Sequence, residues 1–196
     1  MEIVECVGSL KRLARTGWMQ RGVPASIAES VAEHSFESSM IALVLSCIIN
    51  LKLGRTLVSP ERAAALALVH DVTECVTGDI PLFTSKAIGR LKEEIDVAAL
   101  REILPEAKSA GGALGEIEKM LEEIRESKTA EALIARISER LATLIEARRL
   151  SAMGYTRVRQ IEETVRADIE AMLAAATDTL VSSALRDAVR AILESG

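Results

Sequence analysis

Residues 30–54 read Ser30-Val31-Ala32-Glu33-His34-Ser35-Phe36-Glu37-Ser38-Ser39-Met40, then Ile41-Ala42-Leu43-Val44-Leu45-Ser46-Cys47-Ile48-Ile49-Asn50-Leu51-Lys52-Leu53-Gly54. Ser30 and Glu33 stand at the spacing of a capping box, in which each side chain satisfies the other residue's backbone N–H. Gly54 suits the left-handed residue that closes a helix. The stretch therefore predicts a long helix from Ser30 to about Leu53. At about 100° per residue, His34 shares a face with Val31, Ser38, Ile41, Leu45 and Ile48. That face is apolar, so His34 points into the core. Two readings stay open there: a core histidine with one hydrogen bond, or a ligand reaching inward.

The same punctuation recurs on either side. Ser59-Pro60-Glu61-Arg62 supplies an N-cap, a proline at N1 and an acid at N2. That helix runs to about His70-Asp71. A short element around Thr73 to Val76 then meets the turn Gly78-Asp79-Ile80-Pro81. Upstream, Ile3 to Arg15 predicts a helix, and Gly17 through Ser30 a loop. Downstream, helices are expected over Ser85–Leu104, Gly115–Glu126, Thr129–Met153, Tyr155–Ala175 and Asp178–Leu193. Pro105 and Gly154 act as stops. The loop Ser109-Ala110-Gly111-Gly112 looks the most flexible stretch. No repeat, low-complexity tract or convincing strand is visible. The pattern predicts one all-α domain.

Composition supports that class. The 196-residue chain is 49% hydrophobic and 27% charged but only 2% aromatic. Aliphatic side chains must build the core, and Ala and Leu favour helix. A net charge of −5 argues against a nucleic-acid polymer as partner, since that needs a basic face. A small anion in a locally basic pocket is still allowed. The apolar run Met40 to Ile49 is too short to span a bilayer, and the acidic N-terminus does not resemble a secretory signal; a cytoplasmic protein is expected. Cys6, Cys47 and Cys75 are odd in number and lack CxxC spacing, so they read as buried thiols. Amides are scarce, with Asn50, Gln20 and Gln160 alone, a composition found in thermophilic proteins.

The chain has two histidines, and both sit beside carboxylates. His34 follows Glu33, and His70 precedes Asp71. Imidazole with carboxylate suits a borderline divalent cation. Adjacent helical residues face different ways, so His70 and Asp71 converge on one ion only where a helix ends. The turn that follows them provides such an end. Glu74 and Asp79 lie close behind. Taken singly, each of these acids reads as a solvated charge.

In order, Glu33-His34-Ser35, His70-Asp71, Glu74 and Gly78-Asp79-Ile80-Pro81 resemble the HD-domain metal-dependent phosphohydrolase superfamily. Leu10-Lys11-Arg12, Arg15-Thr16-Gly17-Trp18 and Glu29 through His34 are similar to its 5′-deoxynucleotidase branch. The match is clear over Leu10 to Pro81 and weaker to about Tyr155. The resemblance implies an HD domain over 1–155, an all-helical bundle. Residues 156–196 would pack on the same domain or at a dimer interface. The expected activity is cleavage of the 5′-phosphate from a (deoxy)nucleoside monophosphate. The alternative is a non-catalytic or differently specific nucleotide-binding HD protein. It implies one divalent metal (Mn, Co, Ni, Fe or Zn) and a homodimer, with no membrane.

Carried over residue by residue, the metal ligands are His34, His70 and Asp71. The family's fourth ligand is an Asp in a later helix. The matching stretch here is Ile137-Ser138-Glu139-Arg140-Leu141, so Glu139 takes that place with a side chain one methylene longer. Glu139 lies opposite the stripe Leu133, Ile134, Ile137, Leu141, Leu144 and Ile145. Its own face, Ala132, Ala135, Ala142 and Glu146, is either solvent-facing or packed on another helix. Glu74 is the candidate proton carrier. Asp79 resembles the acid that contacts the sugar 3′-hydroxyl. Arg15, Arg21 and Lys86 are candidate phosphate contacts, and Trp18 is a candidate wall against the base or a core anchor.

Overall fold

The computed structural model describes residues 3–103, 113–177 and 179–194. Among these the chain is helical, in the order α1 (Ile3–Ser9), α2 (Thr16–Met19), α3 (Val31–Leu53), α4 (Pro60–Val69), α5 (Glu74–Thr77), α6 (Leu82–Ile88), α7 (Arg90–Ile103), α8 (Ala113–Glu126), α9 (Ala130–Ala152), α10 (Arg159–Ala175) and α11 (Leu180–Glu194). A 3₁₀ turn, Thr156–Val158, precedes α10. The expected loop at Ser109–Gly112 and the expected helix start at Asp178 lie outside the described residues.

The caps behave as their chemistry requires. Ser30 accepts from the Glu33 N–H, Glu33 accepts from the Ser30 N–H at 2.7 Å, and Gly54 closes α3 at φ 64°. Ser59 caps α4, with Pro60 following, and Thr129 caps α9. Other boundaries shift. The first helix ends at Ser9, not Arg15, and the expected loop contains the single turn α2. A lone antiparallel bridge joins Ala14 to Ser30, with the Arg15 N–H donating to the Glu29 carbonyl at 3.0 Å. The expected helix from Ser85 is broken at Gly89, whose φ of 53° interrupts it between α6 and α7.

The bundle is built around α9, which packs against α3, α4, α8, α10 and α11. Both of its faces are buried: Ile134, Ile137, Leu141 and Leu144 on the stripe, and Ala132, Ala135, Ala142 and Glu146 opposite. Ile145, expected on the stripe, is 39% exposed, whereas the small residues let neighbours approach closely, so the buried alanine face is a packing surface. Val165, Ile169 and Leu173 of α10, with Leu185 and Val189 of α11, join the same main core. A second cluster forms around Trp18, Val23, Ala147, Leu150 and Val158. A third holds Cys6, Leu100 and Ile103 against Cys75 and Ile117.

The cysteine expectation is corrected by that third cluster. Cys6 and Cys75 form a disulfide, with Cα atoms 5.5 Å apart. It ties α1 to α5, directly beside Glu74. Cys47 is the remaining free thiol, and it is exposed rather than buried.

Candidate metal centre

His34 comes from the first turn of α3 and is fully buried. His70 caps the C-terminus of α4, and Asp71 follows in the turn that leads to α5. Because the helix has ended, the two side chains converge. One ligand atom from each of His34, His70 and Asp71 lies within 4.8 Å of the others. The imidazole rings meet edge to face, with centroids 5.4 Å apart.

The donor set fits a divalent ion. His70 Nδ1 donates to the Ala67 carbonyl at 2.6 Å. That bond occupies Nδ1 and turns Nε2 toward the cluster, as the outer partner of a metal-bound histidine does. Nε2 is buried and pairs with Asp71 Oδ2 at 3.0 Å. Burial, with the nearby Arg15 and His70 charges, holds His34 well below its usual pKa and therefore neutral. Burial also opposes charge on His70. The Asp71 charge and hydrogen bond, with the Glu139 charge, outweigh it and raise His70 to about 9. Asp71 is buried as well, yet its pairing with His70 keeps it below the carboxylate range and ionised. Two imidazoles and one carboxylate suit Mn, Co, Ni, Fe or Zn.

The structure does not bring Glu139 into this cluster. Its carboxylate is bound by the neighbouring Arg140 guanidinium. The charge still reaches His70, but the short route to an arginine beside it wins over a longer reach to the imidazoles. Of the four expected ligands, His34, His70 and Asp71 are brought together, and Glu139 is held alongside by Arg140.

Glu74, the first residue of α5, is buried next to the ligands. Burial and the charges of Asp71 and Asp79 push its carboxyl up to about 10. Oε2 has no hydrogen-bond partner. This is a carboxyl that keeps its proton at neutral pH and has one oxygen available.

Arg15 reaches between the cluster and Glu29. Its Nη1 donates to Glu29 Oε1 at 3.0 Å and Thr143 Oγ1 at 3.3 Å, and stands 3.0 Å from His34 Nδ1. Asp79 Oδ2 accepts from the Thr16 N–H at 2.6 Å, which holds α2 in place, and its Oδ1 lies 3.9 Å from Arg15 Nε. The Trp18 indole N–H donates to the same Glu29 oxygen at 3.0 Å. Trp18 is thus a core anchor whose ring also borders the adjoining cavity.

That cavity, about 340 Å³, is lined by Arg15, Trp18, Arg21, Asp79 and Lys86. The sequence named all of these, from the segments 15–21 and 79–86. Its opposite wall was missed. Arg140 and Thr143 of α9, and Gln160, Ile161, Thr164 and Val165 of α10, complete it. Arg21 and Arg140 each have a buried Nε without a hydrogen bond, and Asp168 Oδ2 stands 3.9 Å from that of Arg140. Lys86 is exposed and pairs with Asp168 of α10 at 3.3 Å. The only sequence signal for this wall was polar residues interrupting otherwise apolar helical faces.

The HD domain family matches residues 7–177. The chain belongs to it. The match runs past the expected boundary at 155 and takes in α10. A protein of Danio rerio named 5′-deoxynucleotidase HDDC2 is 32% identical over 149 residues, covering 75% of this chain and 67% of the relative. A Vibrio cholerae protein named 5′-deoxynucleotidase is 39% identical over 80 residues, 39% of this chain and 41% of the relative. Among solved structures, a conserved hypothetical protein from Pyrococcus furiosus superposes with a TM-score of 0.77 at 28% identity, covering 98% of each chain. A predicted metal-dependent phosphohydrolase from Magnetospirillum magnetotacticum shares the fold, with a TM-score of 0.62 at 21% identity over 98% of this chain and 90% of that one.

Proposed function

We propose that this HD domain is a metal-dependent phosphomonoester hydrolase that removes the 5′-phosphate from deoxynucleoside monophosphates. The carrying observation is the His34, His70 and Asp71 cluster beside buried Glu74, joined through Arg15 to a cation-lined cavity. A divalent cation held by these three residues would offset charge on phosphate oxygens and acidify water. The chain's own groups supply the rest. Arg15 lies between the ligands and the cavity, where its guanidinium can take a phosphate oxygen in a charge-assisted bond. Glu74 holds a proton on its carboxyl, positioned for transfer to the departing sugar oxygen. Asp79 presents its second oxygen to the cavity as an acceptor for a sugar hydroxyl. Ile80, Leu82, Ile161 and Val165 give the cavity an apolar lining that suits a base.

The negative chain with a locally positive cavity supports a small anionic substrate. The names of the relatives support a deoxynucleotide. The same reading takes one ion per chain and places the protein in the cytoplasm. The test is release of inorganic phosphate from the deoxynucleoside 5′-monophosphates, with manganese or cobalt supplied. Release that requires the ion and disappears in His70→Ala is expected. Nucleotide binding without any phosphate release would leave a non-catalytic HD protein instead.

A further inference from the structure

The rim of the cavity carries an aromatic ring that the fold leaves in water. Phe83 lines the cavity, yet it is 83% exposed. Covering a ring of this size is among the larger apolar gains open to a protein, and here it is unused. Trp18, the other aromatic on the lining, has no open face to offer. It is 2% exposed, and its indole N–H is held by Glu29.

The helix that carries Phe83 is held loosely. α6 buries no side chain fully. Gly78 and Gly89 bound the segment, both at positive φ, 75° and 53°, so the chain enters and leaves it at residues without a Cβ to restrict them. Lys86 ties it across the cavity to Asp168 of α10 at 3.3 Å, and an exposed pair of this kind holds weakly. A segment with so little buried surface can shift to close on a ligand.

We propose that the base of the substrate stacks on Phe83, which α6 brings over the cavity when the site fills. This stack rests on the reading of the cavity as a nucleotide site and names the residue that holds the base in it. Exposure orders the site from inside to rim. Arg15 and Asp79, assigned to phosphate and sugar, have side chains only 17% and 7% exposed. Phe83 stands at the open end, where the base of a nucleotide so placed must lie. Ile161 and Val165 of α10 line the same cavity, so a planar group between them and Phe83 is covered on both faces. A volume of about 340 Å³ is small for a ligand pocket, and a base at its mouth needs such a cover. Stacking takes any base, because each has a π-face. It grows with overlap, so a purine gains more than a pyrimidine.

Phe83→Ala removes an exposed ring, so helix content and melting temperature should persist. In the metal-loaded protein, kcat/KM for deoxyadenosine monophosphate should fall about tenfold or more, the scale of losing one base–aromatic stack. The fall should lie in KM and be smaller for a pyrimidine nucleotide. Deoxyribose 5-phosphate has the phosphate and the sugar but no base. As substrate or competing inhibitor, it should not distinguish Phe83→Ala from wild type. Phe83→Tyr should restore the wild-type values. Calorimetric binding of deoxyadenosine, which involves no turnover, should weaken by the same factor as KM rises. Equal losses with and without a base overturn the proposal and make Phe83 a support for α6. Phosphate release and deoxyadenosine binding that Phe83→Ala leaves unchanged overturn it too, while the hydrolase reading survives. Deoxyadenosine binding that needs Phe83, in a protein that releases no phosphate, upholds the stack and overturns only the hydrolase reading. A wild type that neither binds deoxyadenosine nor releases phosphate overturns both.

Discussion

Removing the Cys6–Cys75 bridge perturbs stability and the centre together. The bond closes a loop across a sequence separation of 69 residues. On the chain-entropy account, a loop of this length restrains the unfolded chain by about 4 kcal/mol, and measured bridges give ~2–4 kcal/mol. For a domain of this size each kcal/mol moves the melting temperature by about 2–4 °C. The double variant Cys6→Ala, Cys75→Ala should therefore melt roughly 5–15 °C lower. Alanine is preferred to serine, because Cys6 lies among Leu100 and Ile103, where a hydroxyl would lack a partner. The assay is thermal unfolding by circular dichroism, with and without a thiol reductant. Reductant should lower the wild type toward the variant and leave the variant unmoved. Since α5 begins with Glu74 and the bridge holds its next residue, phosphate release should fall as well. An unshifted melting temperature, or three titratable thiols in the unreduced, unfolded protein, would refute the reasoning.

Four further outcomes follow. Because His70 retains its proton up to about 9 without metal, ion binding must expel it. Apparent affinity should rise with pH about tenfold per unit below that value and level off above it, and calorimetric titration that finds no pH dependence would contradict this. Glu139→Ala should keep metal binding, whereas loss of the ion in that variant would restore Glu139 as a ligand. Ser30→Ala removes the α3 cap and should destabilise by about 1 kcal/mol in a denaturant titration. Trp18→Phe leaves the ring volume nearly filled but takes a hydrogen bond from buried Glu29, so a loss of about 1–3 kcal/mol is expected.

What could be read from the sequence follows from how local each cause is. Caps are decided within four residues, so Ser30, Ser59 and Thr129 announced their helices. The pairing of His70 with Asp71 needed only a helix end, which the nearby turn advertised. The side-chain direction of Glu139 was not legible, because it depends on Arg140, one residue away, and on the neighbours packed around α9. On such a helix a wheel cannot separate solvent from neighbour, and the alanine face looked ambiguous until α9 was seen at the centre. The disulfide escaped because an odd cysteine count and wide spacing favour thiols in most compartments. The scarce amides pointed to thermophilic proteins, where intracellular bridges persist. The cavity's far wall escaped because α10 contributes neutral Gln160 and Thr164, which carry no motif.

The account's central claim is that His34, His70 and Asp71 hold the ion on which phosphate release depends. Titration of metal-free protein with manganese, read by calorimetry beside phosphate release from a deoxynucleoside monophosphate, tests it most directly. The account predicts one ion per chain, activity that rises in step with occupancy, and loss of both in His70→Ala and Asp71→Ala. Full phosphate release without bound ion, or one tightly bound ion in His70→Ala, would contradict it.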